Sequence, residues 1–107
     1  MNELFKRHIK VGDVIAYPLN SSFRFGVVSK IHINELKLPI DCTVTYPYMS
    51  YGPYDPINRT YGINFSPRKQ KVGYKTFILL DENMIQNIPQ EGVKNLIIEE
   101  RYKCMMQ

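Results

Sequence analysis

Tyr48, Tyr51, Tyr54 and Tyr61 stand close in sequence to Arg59, Arg68, Lys69 and Lys71. These eight residues hold two ingredients of non-covalent recognition. Lysine and arginine neutralise phosphates and release condensed counterions. Exposed aromatic rings give stacking surfaces worth about 1–3 kcal/mol per base. The combination suits single-stranded or unpaired nucleic acid better than a duplex, because no recognition helix is visible. The same residue types also suit a protein target. Tyrosine and arginine are enriched in interface hot spots, and proline lowers the ordering cost of a binding loop. A plainer alternative is that the tyrosines fold the segment onto its own domain while the cations are solvated.

Residues able to do covalent or proton-transfer chemistry are sparse. The chain has no Gly-rich phosphate loop and no His-Glu-x-x-His. It has no Gly-x-Ser-x-Gly nucleophile turn. His8 and His32 are the two histidines, and His32 reads as a solvated residue on the outer face of a strand. Asp55, Asp81 and Glu82 show no partner for paired-carboxylate work. Cys42 and Cys104 are far apart, with no Cys-x-x-Cys pair to gather a metal. They read as two reduced thiols. The expectation is a non-enzymatic protein with no catalytic residue, metal or cofactor.

At 107 residues the length suits one domain, spanning 1–107. The net charge of +4 leans toward acidic partners. Lys6, Arg7, His8 and Lys10 cluster early, and Arg59, Arg68, Lys69, Lys71 and Lys75 cluster after the tyrosines. No apolar run approaches the ~18 residues of a membrane span, and the start does not read as a signal peptide. The expected compartment is the cytoplasm.

The elements that must position the tyrosines come from hydrophobic patterning. "VIAYPL" reads as a strand after a Val-Gly-Asp turn. In "FRFGVVSKIHI", Phe23, Phe25, Val27, Ile31 and Ile33 alternate with mostly polar residues, which predicts a half-buried strand with one apolar face. "CTVTYPYM" predicts a third strand with Val44, Tyr46 and Tyr48 on one face. Residues 45–62 hold five tyrosines and three prolines in eighteen positions, so residues 50–61 are expected as a loop. "GINFS" reads as a short strand, "PRKQKVG" as a basic turn, "YKTFILLD" as a strand and "ENMIQNIP" as a tight turn with a short closing strand. Phe25, Val27, Ile31, Ile78 and Leu80 are the expected core. Residues 90–106 predict a helix with two apolar stripes. One holds Val93, Ile97 and Cys104; the other holds Ile98, Tyr102 and Met105, a candidate surface for self-association.

"VGDVIAYPLNSSFRFGVVSKI" resembles the opening hairpin of an SH3-like barrel of the KOW or Tudor type, and "FILLDENMIQNIP" resembles its closing pair. The resemblance implies a mainly β fold, a small antiparallel barrel over 11–89. The tyrosine/proline-rich insertion loop and the C-terminal helix are additions to it. Barrels of this type bind RNA, DNA, ribosomal surfaces, polymerases or peptides. Small accessory proteins of tailed bacteriophages often have this design. The leading expectation is therefore a nucleic-acid-binding module. The alternative is a protein-binding inhibitor or adaptor that docks on a host enzyme, polymerase or defence protein.

Overall fold

The computed structural model describes residues 9–37, 39–73 and 77–106. Lys6, Arg7, His8 and Lys75, all weighed above, lie outside the described residues. Five antiparallel strands form one sheet: β1 (Val14–Leu19), β2 (Ser22–Ile33), β3 (Pro39–Asp55), β4 (Thr60–Gly73) and β5 (Ile78–Leu79). Two helices follow, α1 (Glu82–Gln86) and α2 (Glu91–Met105). The fold is thus mainly β with a C-terminal helix, as the patterning predicts. The strand order is β4-β3-β2-β1-β5, and among the described residues the sheet does not close, leaving β4 and β5 as its edges.

The sheet has an apolar cluster on each face. On one face Ile15, Tyr17, Val28, Cys42, Val44 and Val72 are buried together with Phe77. On the other, Val14 and Val27 are buried beneath Ile85 of α1, Ile88 and Ile97 of α2. One residue out of register makes this possible. Val28 pairs with Val44 and Lys30 with Thr43, so the extra residue, Ser29, makes a bulge in β2. Its hydroxyl donates to the Thr43 carbonyl at 3.0 Å. The bulge inverts the alternation. Phe25 and Val27 face the helices, whereas Ile31 packs beside Val28 on the opposite face. The single apolar face expected for β2 is therefore two half-faces.

Of the expected core, Val27 is fully buried, and Phe25, Ile31 and Leu80 pack partly buried against the two clusters. Ile78 is a correction. It lies on the two-residue edge strand β5 and is half exposed, while its neighbour Phe77 enters the core. "ENMIQNIP" is also corrected, from turn and strand to a short helix over Glu82–Gln86 followed by irregular chain. Asp81 caps α1 by accepting from the Met84 amide at 2.8 Å, and Ile85 and Ile88, three apart, are both buried.

The largest difference lies at the tyrosines. Residues 50–61 are not a loop, and "PRKQKVG" is not a turn. β3 and β4 pair along one long hairpin, from Asp41 opposite Gly73 out to Asp55 opposite Thr60. Seventeen residues of strand span about 56 Å, close to the 59 Å longest dimension of the molecule. The prolines do not break this ribbon because of where they fall. Pro47 stands directly opposite Pro67. In an antiparallel ladder every second facing pair exchanges no N–H···O=C bonds, so a proline pair there forfeits nothing between β3 and β4. The missing Pro47 amide points instead toward β2, and the β2 ladder ends just before it, at Val27 opposite Thr45. Beyond that point the hairpin continues as a two-stranded ribbon.

Candidate functional site

The far end of the ribbon closes on a turn built around Asp55. Its carboxylate accepts from the Ile57 amide at 3.0 Å and the Asn58 side-chain amide at 2.8 Å. Donation from the Asn58 side chain and the Ile57 and Asn58 backbone holds the Asp55 carboxyl below its ordinary pKa. Arg59 completes the turn with φ at 55°, the left-handed region that L residues rarely adopt.

A second bulge sets the tyrosines. Tyr51 faces Ile63 and Tyr54 faces Tyr61, so β3 carries one residue more than β4 between these pairs. The extra residue lies at Gly52-Pro53. Tyr51 and Tyr54, which simple alternation would place on opposite faces, therefore meet around Tyr61. Their rings make edge contacts with it at centroid distances of 5.9 and 5.0 Å. Such contacts are favoured by the ring quadrupoles. The cluster stays exposed: Tyr51 is 70%, Tyr61 58% and Ile57 at the turn 89% accessible. Ile63 beside them is half exposed.

Tyr48 and Arg68 belong to the other face. Tyr48 follows Tyr46 and Val44 by alternation, and the Arg68 guanidinium lies 3.5 Å above its ring. One step along, Arg24 of β2 lies 4.0 Å above Tyr46. Arg24 also donates to Gln70 Oε1 at 2.7 Å, and the Tyr17 hydroxyl donates to the same oxygen at 3.1 Å. Burial pushes the Tyr17 phenol up to about 12. Arg24, Tyr46 and Gln70 are contact residues that sequence reasoning missed. The signal available was the alternation Tyr46–Tyr48 read together with the single arginine among the even positions of β2.

Lys69 and Lys71 share a face with Tyr61 by alternation, but not its location. Eight residues of strand separate Tyr61 from Lys69, about 26 Å. Between them the start of α2 sits on β4, with Gly92 against the Phe65 ring. The eight expected site residues therefore divide three ways. Tyr51, Tyr54, Tyr61 and Arg59 occupy the tip. Tyr48 and Arg68 stack on the opposite face. Lys69 and Lys71 lie beyond the helix start.

The remaining candidates have structural partners. His32 is half-buried rather than freely solvated, with Nε2 2.8 Å from the Thr43 hydroxyl and 3.9 Å from Asp41 Oδ1. Both cysteines are free thiols. Burial pushes Cys42 up to about 11, and its thiol donates to the Val72 carbonyl at 3.6 Å. Cys104 is likewise shifted upward, chiefly by desolvation. Neither environment favours a nucleophilic thiolate. Among the described residues, no group of three or more His, Cys, Asp or Glu is placed to hold a metal ion. Glu82 and Arg101 form a two-pronged ion pair at 2.6 and 3.2 Å that ties α1 to α2.

On α2, the stripe expected to mediate self-association is split. Ile98 packs inward against the helix-side cluster, whereas Tyr102 and Met105 are exposed. Among the described residues no helix is long and apolar enough to cross a membrane. Compared with protein-family models, curated proteins and solved structures, the chain matches none.

Proposed function

We propose that this protein is a non-enzymatic binding module whose contact element is the far half of the β3–β4 hairpin, and that its target is a protein surface. The observation that carries this reading is the exposed Tyr51–Tyr54–Tyr61 cluster on a ribbon projecting beyond the three-stranded part of the sheet. Tyrosine supplies large contact area at small entropic cost, and a paired ribbon is already ordered. The charge at the tip supports a protein target over nucleic acid. Asp55 and Arg59 offset one another there, and Lys69 and Lys71 are remote.

A second reading, nucleic-acid binding, has its own observation. The Arg24–Tyr46 and Arg68–Tyr48 stacks on the opposite face combine cations with aromatic planes in one strip. Unpaired bases would stack on the outer faces of the guanidinium planes.

The two readings separate in one experiment. Tagged protein is recovered from a native lysate with and without nuclease, as wild type, as Tyr51→Ser/Tyr54→Ser and as Arg24→Gln/Arg68→Gln. For the protein-binding reading, a defined polypeptide survives nuclease and is lost with the tyrosine variant alone. For the nucleic-acid reading, the bound material disappears with nuclease and with the charge variant. Retention of the same polypeptide by all three forms would remove the hairpin from the function.

A further inference from the structure

We propose that the outer edge of β4 between Thr60 and Ser66 pairs with the same edge of a second copy of this chain. The pairing is antiparallel about a two-fold axis perpendicular to the sheet, and it goes beyond the partner-binding role of the tyrosine face.

The ladder itself assigns the open hydrogen-bonding groups. Pro67 faces Pro47 in a pair that exchanges no bonds across the hairpin, so residue 67 and its odd-numbered neighbours in β4 point their backbone groups outward. The outward row is Tyr61, Ile63 and Phe65, then Pro67, which has no amide, then Lys69 and Lys71. Among the described residues, β4 is the edge of the sheet along its whole length. Exposed edges are normally guarded by proline, charge, bulges or shortness. β5 is two residues long. The free margin of β3 is interrupted by Pro47, Pro53 and the bulge at Gly52-Pro53. The later half of β4 carries Pro67, Arg68, Lys69 and Lys71. Among the described residues, only the edge segment "TYGINFS" has none of these guards, and it holds no charged side chain.

A second copy is the occupant because the segment is complementary to itself. With Ile63 opposite Ile63, Tyr61 falls opposite Phe65 of the second copy, and Phe65 opposite its Tyr61. These three facing pairs give about six backbone bonds, two at each pair. All three side chains share one face, so the aromatic pairs also meet across the new junction. The next outward position sets Arg59 against Pro67, where the ladder stops for want of an amide. Lys69 and Lys71 are never brought against their own copies, so the net charge of +4 does not oppose the contact. The edge is also open on its helix side. A groove of about 380 Å³ lies between this edge and α2, lined by Ile63, Phe65 and Pro67 on the strand side and by Leu96, Glu99 and Lys103 among the residues of α2. The axis sets both tyrosine clusters on the same side of a four-stranded ribbon. So short an edge falls below the ~1,200 Å² of a standard stable interface, so the dimer is weak.

The test is analytical ultracentrifugation of the purified chain between about 1 µM and 1 mM, the range of weak association. Expected is a reversible monomer–dimer equilibrium. Ile63→Lys and Ile63→Glu should each be folded by circular dichroism and monomeric, and an equimolar mixture of the two should recover the dimer. Ile63→Pro, which removes an amide unused within the monomer, should also be monomeric, and Tyr102→Glu should dimerise like the wild type. A wild type that stays monomeric throughout would overturn the proposal. So would undiminished dimerisation of both Ile63 charge variants, or loss of the dimer with Tyr102→Glu alone. The readout uses pure protein, so it stands or falls separately from partner capture.

Discussion

Gly92 at the start of α2 lies so close to the Phe65 ring of β4 that a methyl group on Gly92 would overlap Cδ2 and Cε2 of that ring. This contact seats the helix on the hairpin at the point where the ribbon begins to project. Alanine is ordinarily the better helix residue, by about 1 kcal/mol. Here overpacking should outweigh that gain, and Gly92→Ala should destabilise by about 1–3 kcal/mol. Phe65→Ala should relieve the overlap. In a denaturation double-mutant cycle, the combined variant should therefore be more stable than the sum of the two single effects implies.

Burial separates two isoleucines that hydropathy alone treats alike. Ile97 is fully buried on the helix side of the sheet, and Ile97→Ala should cost about 2–5 kcal/mol in urea unfolding. Ile78 is half exposed on the edge strand. Ile78→Ala should cost clearly less than Ile97→Ala, measured under the same conditions.

Arg59 holds a left-handed conformation that costs an L residue roughly 1–2 kcal/mol and glycine almost nothing. Arg59→Gly should raise the melting temperature despite the greater freedom of glycine in the unfolded chain. If Arg59 also anchors a partner, the same substitution should weaken partner capture. That pairing of gained stability with lost binding would mark it as a contact residue rather than a structural one.

High pH should unfold the protein through Tyr17 and Cys42. Burial raises the phenol from 10.0 to about 12 and the thiol from 9.0 to about 11. Both are acids that the folded state keeps protonated, so the unfolded chain releases their protons first. Their stabilisation is complete below about pH 9 and is lost as pH rises through 9–11 for Cys42 and 10–12 for Tyr17. Each shift corresponds to a loss of a few kcal/mol of stability across its window. Urea midpoints should fall steeply over this window in the wild type, and less steeply in Tyr17→Phe and Cys42→Ala. In a spectrophotometric titration, the Tyr17 phenol should ionise together with unfolding, a step that Tyr17→Phe removes.

The mainly β class, the opening hairpin and the C-terminal helix were legible in the amino-acid order because each rests on local periodicity. β1 and β2 pair through a turn between Leu19 and Ser22, and a period of two survives over Phe25 and Val27. Glu91–Met105 carries helix formers between Pro89 and the end of the described chain. The tyrosines, too, stood out as candidates for contact. Their arrangement was decided by tertiary structure. A bulge at Ser29 sends Ile31 to the opposite face from Val27, and one at Gly52-Pro53 brings Tyr51 and Tyr54 together. One extra residue inverts every later side chain in a strand, and nothing in local composition marks where that residue falls. The prolines that argued for a loop were neutralised by register, since Pro47 found Pro67 in a pair that needs no amide. Lys69 and Lys71 were separated from the tyrosines by the length of an extended strand and by a helix docked across it. Periodicity is a property of neighbours along the chain, whereas register, bulges and helix docking depend on residues far apart in sequence, which only the folded chain brings together.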